Sequence, residues 1–320
     1  MIDRLPDLTV ILVNYNTEHL LDRLFSCLSA ASGDLLIQTI LVDNASQDNS
    51  VATLRAKYPA VELIENQVNV GFGRANNQAL PLVRGRYVLL LNTDAFVAPD
   101  TLVNTYRFME QNPKSGILGV KLVGEDGSLQ PSCRYFPTPW NVFVAANGLA
   151  GLFPHTRLVD DMRWDHKGTR ECDWVPGCFY LVRKEVIDQL GLFDPRFFLY
   201  YEEVDHCRRA RQAGWKVSYC GDTQVVHIGG ESAKTKSAIT KVSRQIAVLE
   251  VESELLYFRK HFGLSGLLAS VMLTACSALL SLAKDILRPT KLGARREQPE
   301  KLSIILSLLF PTRWGTRPTR

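Results

Sequence analysis

The sequence predicts an α/β protein in which a mostly parallel, doubly wound sheet carries helices on both faces and is followed by a C-terminal helical tail. The first observation is that short, uninterrupted apolar runs alternate with segments of helical periodicity. Such runs are typical of strands buried on both faces, and their alternation with helices is typical of parallel sheets. The second observation is that several runs end in polar residues. The third is that residues 262–283 contain no charged side chain.

The apolar run Tyr87–Leu91 predicts a central strand, and Asn92 and Asp94 follow it directly. In open α/β sheets, ligands bind at the carboxyl edge of the strands, which is where Asp94 is expected. A carboxylate that is buried there needs a cation or a hydrogen-bond donor as its partner. The residues leave a second interpretation open, in which Asp94 caps the helix that begins near Pro99.

The other elements of the N-terminal half continue this alternation. Strands are predicted over 8–13, 36–42, 61–65 and 116–123, and helices over 20–28, 50–57 and 99–111. Polar residues end three of the strands: Asn14 and Asn16, Asp43, and Asn92 with Asp94. We expect these side chains to meet at one edge of the sheet. The loop at Gly71 and Gly73 lacks the third glycine of a dinucleotide-binding motif, which disfavours NAD.

Composition excludes some classes of protein. The chain is 46% hydrophobic and 22% charged, which is typical of a globular protein. Its net charge of +4, from 37 basic and 33 acidic residues, is too small to indicate a nucleic-acid partner, but it permits contact with an anionic membrane surface. The seven cysteines show no metal-type spacing and the N-terminus has no apolar signal core, which favours a cytoplasmic protein.

Four motifs resemble those of glycosyltransferase family 2, and most closely its bacterial rhamnosyltransferase-like branch. They are Val10-Ile-Leu-Val-Asn-Tyr-Asn16, Val42-Asp-Asn-Ala-Ser46, Asn69-Val-Gly-Phe-Gly-Arg-Ala-Asn-Asn77 and Leu90-Leu-Asn-Thr-Asp94. The resemblance covers about residues 8–262 and implies a catalytic domain of the A-type glycosyltransferase fold over 1–262. Residues 1–123 would form its nucleotide-sugar-binding half, and residues 124–262 its acceptor-binding half.

The resemblance also implies a donor site. Asp43 would hydrogen-bond the pyrimidine base of a dTDP- or UDP-sugar, and Asn92-Thr-Asp94 corresponds to the family's D-x-D metal motif. His227, which follows two apolar residues, is from the residues alone either a core histidine or a ligand. By the resemblance, Asp94 and His227 would hold Mg²⁺ or Mn²⁺ on the donor diphosphate. Because Asn92 replaces an aspartate, we expect weaker metal binding. The residues implied to bind the donor are Asn14, Asn16, Asp43, Gly71, Arg74, Asn77, Asn92 and Asp94.

The C-terminal half is expected to receive the acceptor. Residues 131–173 have little periodicity, so they are either a long loop that covers an acceptor site or a surface insertion. Trp174-Val-Pro-Gly177 precedes an apolar run and resembles the family segment that shapes the acceptor cleft. Trp174 either stacks on a sugar ring or belongs to the core.

Clustered acids at Glu202, Glu203 and Asp205 follow an aromatic run. From the residues alone they are either candidates for a general base or the solvated start of a helix. The resemblance places the catalytic base at Glu203, where the family has aspartate, and leaves Glu202 as its alternative. The following helix is expected over 204–213, ending at Gly214.

The tail, residues 263–320, contains an apolar stretch long enough to span a bilayer, but both of its flanks are basic. This favours a helix that lies in the cytoplasmic membrane interface. The alternative is a helical subdomain packed on the catalytic domain or on a second subunit.

Together, these features predict an inverting glycosyltransferase that acts at the inner face of the cell membrane. It would move a sugar, with rhamnose favoured, from a nucleotide-diphosphate sugar to a lipid-linked or polysaccharide acceptor in cell wall or polysaccharide biosynthesis. A homo-oligomer is possible, and no nucleic acid is expected as partner. Two alternatives stay open: a catalytically degenerate module that only binds nucleotide sugar or glycan, and a nucleotidyltransferase.

Overall fold

The structure, a computed structural model, describes residues 4–229, 239–287 and 297–320. The chain forms two compact units. Unit 1 comprises Met1–Arg134, Met162–Pro195 and Glu202–Ser237, and unit 2 comprises Tyr135–Asp161, Arg196–Tyr201 and Ala238–Arg320. Residues that were assigned to a single catalytic domain therefore contribute to both units. The predicted functional division at residues 262 and 263 stays a prediction.

Unit 1 is built on one mixed sheet with the strand order β3-β2-β1-β4-β9-β6-β10-β5, in which β7 pairs with β6 and β8 with β10. The strands are β1 Leu8–Asn14, β2 Ile37–Asp43, β3 Glu62–Glu65, β4 Tyr87–Asn92, β5 Ala95–Val97, β6 Ser115–Val123, β7 Leu129–Gln130, β8 Thr169–Cys172, β9 Phe179–Arg183 and β10 Lys216–His227. Strands β3, β2, β1 and β4 are parallel, and β9 joins β4 to β6 in antiparallel pairing on both sides.

Helices pack on both sides of this sheet, which confirms the predicted fold class. They are α1 Glu18–Ala31, α2 Ser50–Lys57, α3 Phe72–Ala79, α4 Thr101–Gln111, α6 Lys184–Leu190 and α7 Glu202–Gln212, with a short 3₁₀ helix over Leu80–Leu82. Apolar side chains of β1, β4 and α1 are buried together in the main core, because each of these strands is covered on both faces.

Two sequence interpretations are wrong, and both errors concern elements too short to leave a periodic signal. Asp94 does not cap α4, because Asp100 stands at its N-cap and the three-residue strand β5 intervenes. The region 131–173 is not one long loop, since it contains β8 and the helix α5, Pro139–Ala146. Helix α5 begins at Thr138 with a capping box, in which the side chains of Thr138 and Asn141 each accept from the other's backbone amide.

Unit 2 contains α5 and two further helices, α8 Ile239–Leu287 and α9 Glu297–Leu309. Helix α8 is interrupted at Gly263, whose φ of 69° and ψ of −165° are not helical. Leu255 and Leu267, on either side of this interruption, pack with Ile305 and Leu309 of α9. In the part of the chain that the structure describes, one helix, over Arg244–Ala283, is long and apolar enough to cross a membrane by length and composition.

Candidate active site

The carboxyl ends of β1 and β2 meet as predicted, and Asp43 joins them. Asn14 lies opposite Asp43 in the parallel register and donates its amide to Oδ2 of Asp43 at 2.8 Å. The backbone amide of Ser46 donates to Oδ1 of Asp43 at 3.0 Å, and Asp43 is only 2% exposed. Asp43 therefore fixes the two strand ends, and its contact with a pyrimidine base stays a prediction.

The turns that follow these strands have unusual backbone conformations. Asn16 and Ala45 have φ values of 56° and 68°, in the left-handed region that non-glycine residues avoid. Ser46 supports the first turn by accepting from the backbone amide of Asn16 at 3.0 Å. Such strain is concentrated at ligand-binding sites, because surrounding contacts must maintain it.

The glycine loop is tied to the same edge of the sheet. Asn44 donates to Oδ1 of Asn69 at 2.9 Å and accepts from the backbone amide of Val70 at 3.0 Å. Gly71 precedes α3 with a φ of 90°, a conformation that a side chain would strain. The loop that was predicted to contact the donor is thus held by the side chain of Asn44, directly after β2.

Two residues predicted to bind the donor contact the backbone before α7 instead. The side-chain amide of Asn77 donates to the Phe193 carbonyl at 2.7 Å and accepts from the Phe193 amide at 3.1 Å. Nε of Arg74 donates to the carbonyl of Pro195 at 2.8 Å. In this structure both side chains position the 193–195 segment, and their donor contacts stay predictions.

The predicted metal ligands lie together. Nε2 of His227, at the end of β10, is 3.6 Å from Oδ1 of Asp94. The Gln130 amide nitrogen donates to the His227 carbonyl at 2.8 Å, so the Gln130 oxygen is left for Nδ1 of His227 at 2.9 Å. Nδ1 must therefore carry the proton, and the Nε2 lone pair faces Asp94.

These residues fit a divalent cation. Burial lowers the pKa of His227, and the charge of Asp94 opposes this effect only in part. The net pKa is lowered, so the imidazole is neutral at neutral pH. A neutral histidine whose second nitrogen is fixed by a hydrogen bond is a typical metal ligand. Among the described residues, no three His, Cys, Asp or Glu side chains form a cluster that could hold a metal. A cation bound here would need further oxygen ligands from the donor or from water.

Cys178 connects the metal-ligand pair with the predicted base. The backbone amide of Asn92 donates to the carbonyl of Cys178 at 3.1 Å. Burial raises the pKa of the Cys178 thiol, and the charges of Asp94 and Glu203 raise it further. The two carboxylates therefore lie near the same residue, at the start of β9, although they come from different halves of the chain.

Glu202 and Glu203 begin α7, but they are not the solvated helix start that the residues alone allowed. Glu202 is 3% exposed, and the Oε2 atoms of both residues are buried without a hydrogen-bond partner among the described residues. Burial, followed by the charge of Glu203, raises the pKa of Glu202 well above its usual range. Burial also raises the pKa of Glu203, against the lowering effects of nearby backbone amides and of Arg134.

Two further features lie near Glu203 along the chain. Tyr200 and Tyr201, directly before α7, have φ values of 68° and 66°, which strain the backbone at this point. Within α7, the buried Asp205 accepts from Nε of Arg209 at 2.8 Å. Its carboxylate is thus engaged by a cation, which makes it a weaker candidate for the base than Glu203. The catalytic assignments themselves stay predictions.

Trp174 and Gly177 lie in the segment before β9. Trp174 is 5% exposed, and the Arg134 guanidinium lies over its ring at 4.1 Å. This burial favours the alternative in which Trp174 belongs to the core and supports Arg134. Its stacking on a sugar stays a prediction. The backbone amide of Gly177 is one of the groups that lower the pKa of Glu203, so Gly177 contributes through its main chain.

Sequence reasoning missed three residues of this site: Gln130, Arg134 and Cys178. Gln130 orients His227, Arg134 adds a positive charge near Glu203, and Cys178 lies near both carboxylates. None of them belongs to a periodic element or to a motif with a recognisable spacing. Pairing of β6 with β7 places Gln130, the bridge to Trp174 places Arg134, and the pairing of β4 with β9 places Cys178.

Comparison with known proteins agrees with this geometry. The family model described as Glycosyl transferase family 2 matches residues 9–164. An N-acetylglucosaminyl-diphospho-decaprenol L-rhamnosyltransferase of Mycobacterium tuberculosis is 29% identical over 243 residues, which cover 71% of this chain and 76% of that protein. Rhamnosyltransferase WbbL of Escherichia coli K12 is 25% identical over 230 residues, which cover 68% of this chain and 82% of that protein.

Solved structures share the fold. The mannosyltransferase PcManGT from Pyrobaculum calidifontis, in complex with GDP-Man and Mn²⁺, has a TM-score of 0.58 at 16% identity, covering 98% of this chain and 89% of its own. S. aureus TarS 1-349 in complex with UDP-GlcNAc has a TM-score of 0.51 at 15% identity, covering 97% of this chain and 92% of its own. At such identities, these two likenesses show the fold alone.

The family match, the rhamnosyltransferase relatives and the A-type glycosyltransferase fold all lead to one assignment. Residues 9–164 match the model of Glycosyl transferase family 2, and the protein is a glycosyltransferase.

Proposed function

We propose that the protein catalyses inverting transfer of a sugar from a nucleotide-diphosphate sugar to an acceptor hydroxyl, with Glu203 as the general base. The observation that supports this most is the Oε2 atom of Glu203, which is buried and makes no hydrogen bond within the described chain. A base needs a lone pair of this kind to accept the acceptor's proton. The charges of both Glu203 and Asp94 raise the pKa of the Cys178 thiol, which is consistent with a base on the same side of the site as the candidate metal ligands.

The reaction is a single displacement. Glu203 takes the proton of the acceptor hydroxyl, and the acceptor oxygen forms a bond to the anomeric carbon as the bond to the donor diphosphate breaks. Attack from the face opposite the diphosphate inverts the configuration at that carbon. Asp94 and His227 would hold a Mg²⁺ or Mn²⁺ ion, which would offset the negative charge that develops on the leaving diphosphate.

The names of the relatives support our proposal for the donor and acceptor classes. The rhamnosyltransferase names favour rhamnose, carried as a dTDP- or UDP-sugar, and the M. tuberculosis relative's name favours a lipid-linked diphosphate acceptor. Such an acceptor resides in a membrane, so we propose that the enzyme acts at the inner face of the cell membrane during cell wall or polysaccharide biosynthesis. We assign Asp43 to the hydrogen bond with the pyrimidine base of the nucleotide-sugar donor.

The test compares two neighbouring isosteric substitutions. Glu203→Gln removes the base without changing its size, so the transfer rate should fall by about 10²- to 10⁴-fold while donor affinity is kept. Glu202→Gln resembles the protonated form that burial favours for Glu202, so it should retain most of the activity. Transfer by radiolabelled sugar and donor binding by calorimetry in Mn²⁺ give both quantities.

Other results would refute the assignment. If Glu202→Gln is inactive and Glu203→Gln is active, the base is Glu202. If neither substitution changes turnover and the wild-type protein binds the donor without transfer or hydrolysis, the protein is the degenerate binding module. Release of diphosphate from a nucleoside triphosphate would instead identify a nucleotidyltransferase.

A further inference from the structure

The part of α8 that follows Gly263 is polar on its buried side and apolar on its exposed side. Three of its buried residues carry hydroxyl groups: Ser270, Thr274 and Ser277. Its exposed residues include a set of large apolar side chains: Leu264, Leu268, Met272, Leu279, Leu280 and Leu282. We call this set the outer face of α8. A helix on a water-soluble protein has the opposite arrangement, because water favours polar groups outside.

The polar side is well satisfied within unit 2. Ser277 accepts from the side-chain amide of Asn147, which follows α5, at 2.7 Å. Ser270 donates to Glu254 at 3.5 Å, and Glu254 forms an ion pair with Lys301 of α9 at 2.7 Å. The cavity between these helices has a volume of about 30 Å³, which is room for roughly one or two water molecules and too small for a sugar. The helix is therefore fixed in this orientation by internal contacts.

Other parts of unit 2 add exposed apolar residues. Leu306 lies on α9 and Phe310 directly follows that helix. Trp314 lies in the C-terminal turns, with its ring against that of Phe310. Phe310 is 76% exposed. Leu152 and Phe153 are exposed in the segment after α5. Exposed apolar groups in this number are unfavourable in water and typical of a surface that contacts a membrane or another protein.

The charge of the C-terminal region distinguishes between a membrane and another protein as the contacting surface. Residues 239–320 contain thirteen basic and six acidic residues, so this region carries a net charge of +7, whereas the whole chain carries +4. Two copies meeting through this region would bring like charges together. The cytoplasmic leaflet of a membrane carries anionic lipids, which attract basic segments. A lipid surface therefore matches both the apolar and the electrostatic character.

A spanning orientation does not fit the packing. If α8 crossed the bilayer, the Glu254–Lys301 ion pair and the polar groups that pack on α8 would also enter hydrocarbon, at a high cost in free energy. An interfacial helix avoids this cost, because its apolar side enters the acyl region only to about 5–10 Å and its other side stays with the protein. Twenty residues in this orientation would extend about 30 Å along the surface.

We propose that the outer face of α8 docks on an anionic bilayer leaflet, with the helix axis parallel to the membrane plane and its polar side held by α5 and α9. This inference rests on the proposed function, because the proposed lipid-linked acceptor lies in a membrane and the enzyme must reach it there. It goes further by naming the surface, its orientation and the lipid charge that it requires. The interaction combines apolar burial with attraction of basic residues to anionic lipid headgroups.

The experiment measures binding of the full-length protein to phosphatidylcholine vesicles with and without phosphatidylglycerol. The test variant is Met272→Glu/Leu279→Glu, because these side chains are 68% and 66% exposed and can change without disturbing the core. The matched control is Leu36→Glu/Leu82→Glu in unit 1, which changes two leucines that are 43% and 40% exposed. Circular dichroism and melting temperature check that every variant is folded.

We expect the wild-type protein and the control to bind anionic vesicles more tightly than neutral ones. The test variant should lose about a hundredfold in affinity, since two apolar side chains no longer enter the lipid. Equal vesicle binding by the test variant would overturn the proposal. A wild-type dimer that dissociates in the test variant would assign the face to a second copy, and resistance to alkaline extraction from native membranes would indicate a spanning helix; either result also overturns it.

Donor turnover by the wild-type protein, measured without vesicles, separates this proposal from the proposed function. Vesicle binding with the expected loss, but no turnover, supports the docking surface and refutes the proposed reaction. Turnover without vesicle binding supports the reaction and refutes the docking surface.

Discussion

Nε2 of His227 faces Oδ1 of Asp94 across 3.6 Å, and both hydrogen-bonding groups of the Gln130 side chain contact His227. Asp94 follows the central strand β4, whereas His227 ends β10. The antiparallel pairing of His227 with Ala95 brings the two together. The two-residue strand β7 places Gln130 beside His227. Because the Gln130 side chain accepts the Nδ1 proton, the Nε2 lone pair of the imidazole faces Asp94.

The first prediction concerns this orientation. Gln130→Ala should weaken Mn²⁺ binding by about 10- to 100-fold, because loss of a hydrogen-bond partner of a ligating histidine has this effect. Calorimetric titration of Mn²⁺ in the presence of a nucleoside diphosphate measures the change. Gln224→Ala removes an exposed glutamine from β10, the strand that ends at His227, and serves as the control. Equal metal affinity in both variants would show that Gln130 does not orient a metal ligand.

The second prediction concerns the pH dependence of transfer. A base must be ionised to accept a proton, and burial raises the pKa of Glu203 above its ordinary 4.5. The rate constant kcat/KM should therefore fall as pH decreases through that raised pKa, so the acidic limb lies above pH 4.5. Arg134→Met removes a charge that lowers this pKa and should move the limb to higher pH. A limb at the same pH in Arg134→Met would contradict an electrostatic role for Arg134.

The third prediction concerns stability and Glu202. Its pKa is raised in the folded protein, so above the unfolded value near 4.5 the unfolded chain releases a proton that the folded chain keeps. The free energy of unfolding is thus highest below that pH and decreases as pH rises towards the folded pKa. Glu202→Gln removes this loss, so its melting temperature should exceed that of the wild type at pH 7 and approach it near pH 4. A constant difference at all pH values would show that ionisation of Glu202 is not the cause.

The fourth prediction concerns the ion pair of unit 2. Glu254→Ala leaves Lys301 without its buried partner and should lower the free energy of unfolding by about 3 kcal/mol. The double change Glu254→Leu/Lys301→Met removes both charges and should restore most of that loss. Glu300→Ala, an exposed acid on α9, should have little effect. Urea unfolding monitored by circular dichroism measures all three; an additive double variant would show that the two residues do not interact.

Much of unit 1 was predictable from local patterns. The runs Leu8–Val13 and Tyr87–Leu91 became β1 and β4, because an apolar run of this length forms a buried strand wherever a sheet can cover both faces. Gly214 follows α7 as expected, with a φ of 91°. The motif residues Asp43 and Asp94 lie at the carboxyl edge for the same reason, since Asp43 ends β2 and Asp94 follows β4 after one intervening residue.

Other features depend on contacts between distant segments, which periodicity does not record. Strand β5 is too short for a pattern, yet its pairing with β10 brings His227 to Asp94. The acids of α7 have the composition of a solvated first turn, and only the surrounding fold buries Glu202. For α8, composition indicated an apolar helix, but it could not tell which of its sides faces the protein.

The sequence by itself determined the α/β class, the polar strand ends and the resemblance to glycosyltransferase family 2, because these depend on residues close together along the chain. The tertiary structure alone decided which lone pair of His227 faces Asp94, which carboxylates of α7 are desolvated, and that α8 carries its hydroxyl groups inside. Each of these depends on side chains that meet only after folding, where burial and hydrogen-bond partners set protonation and orientation.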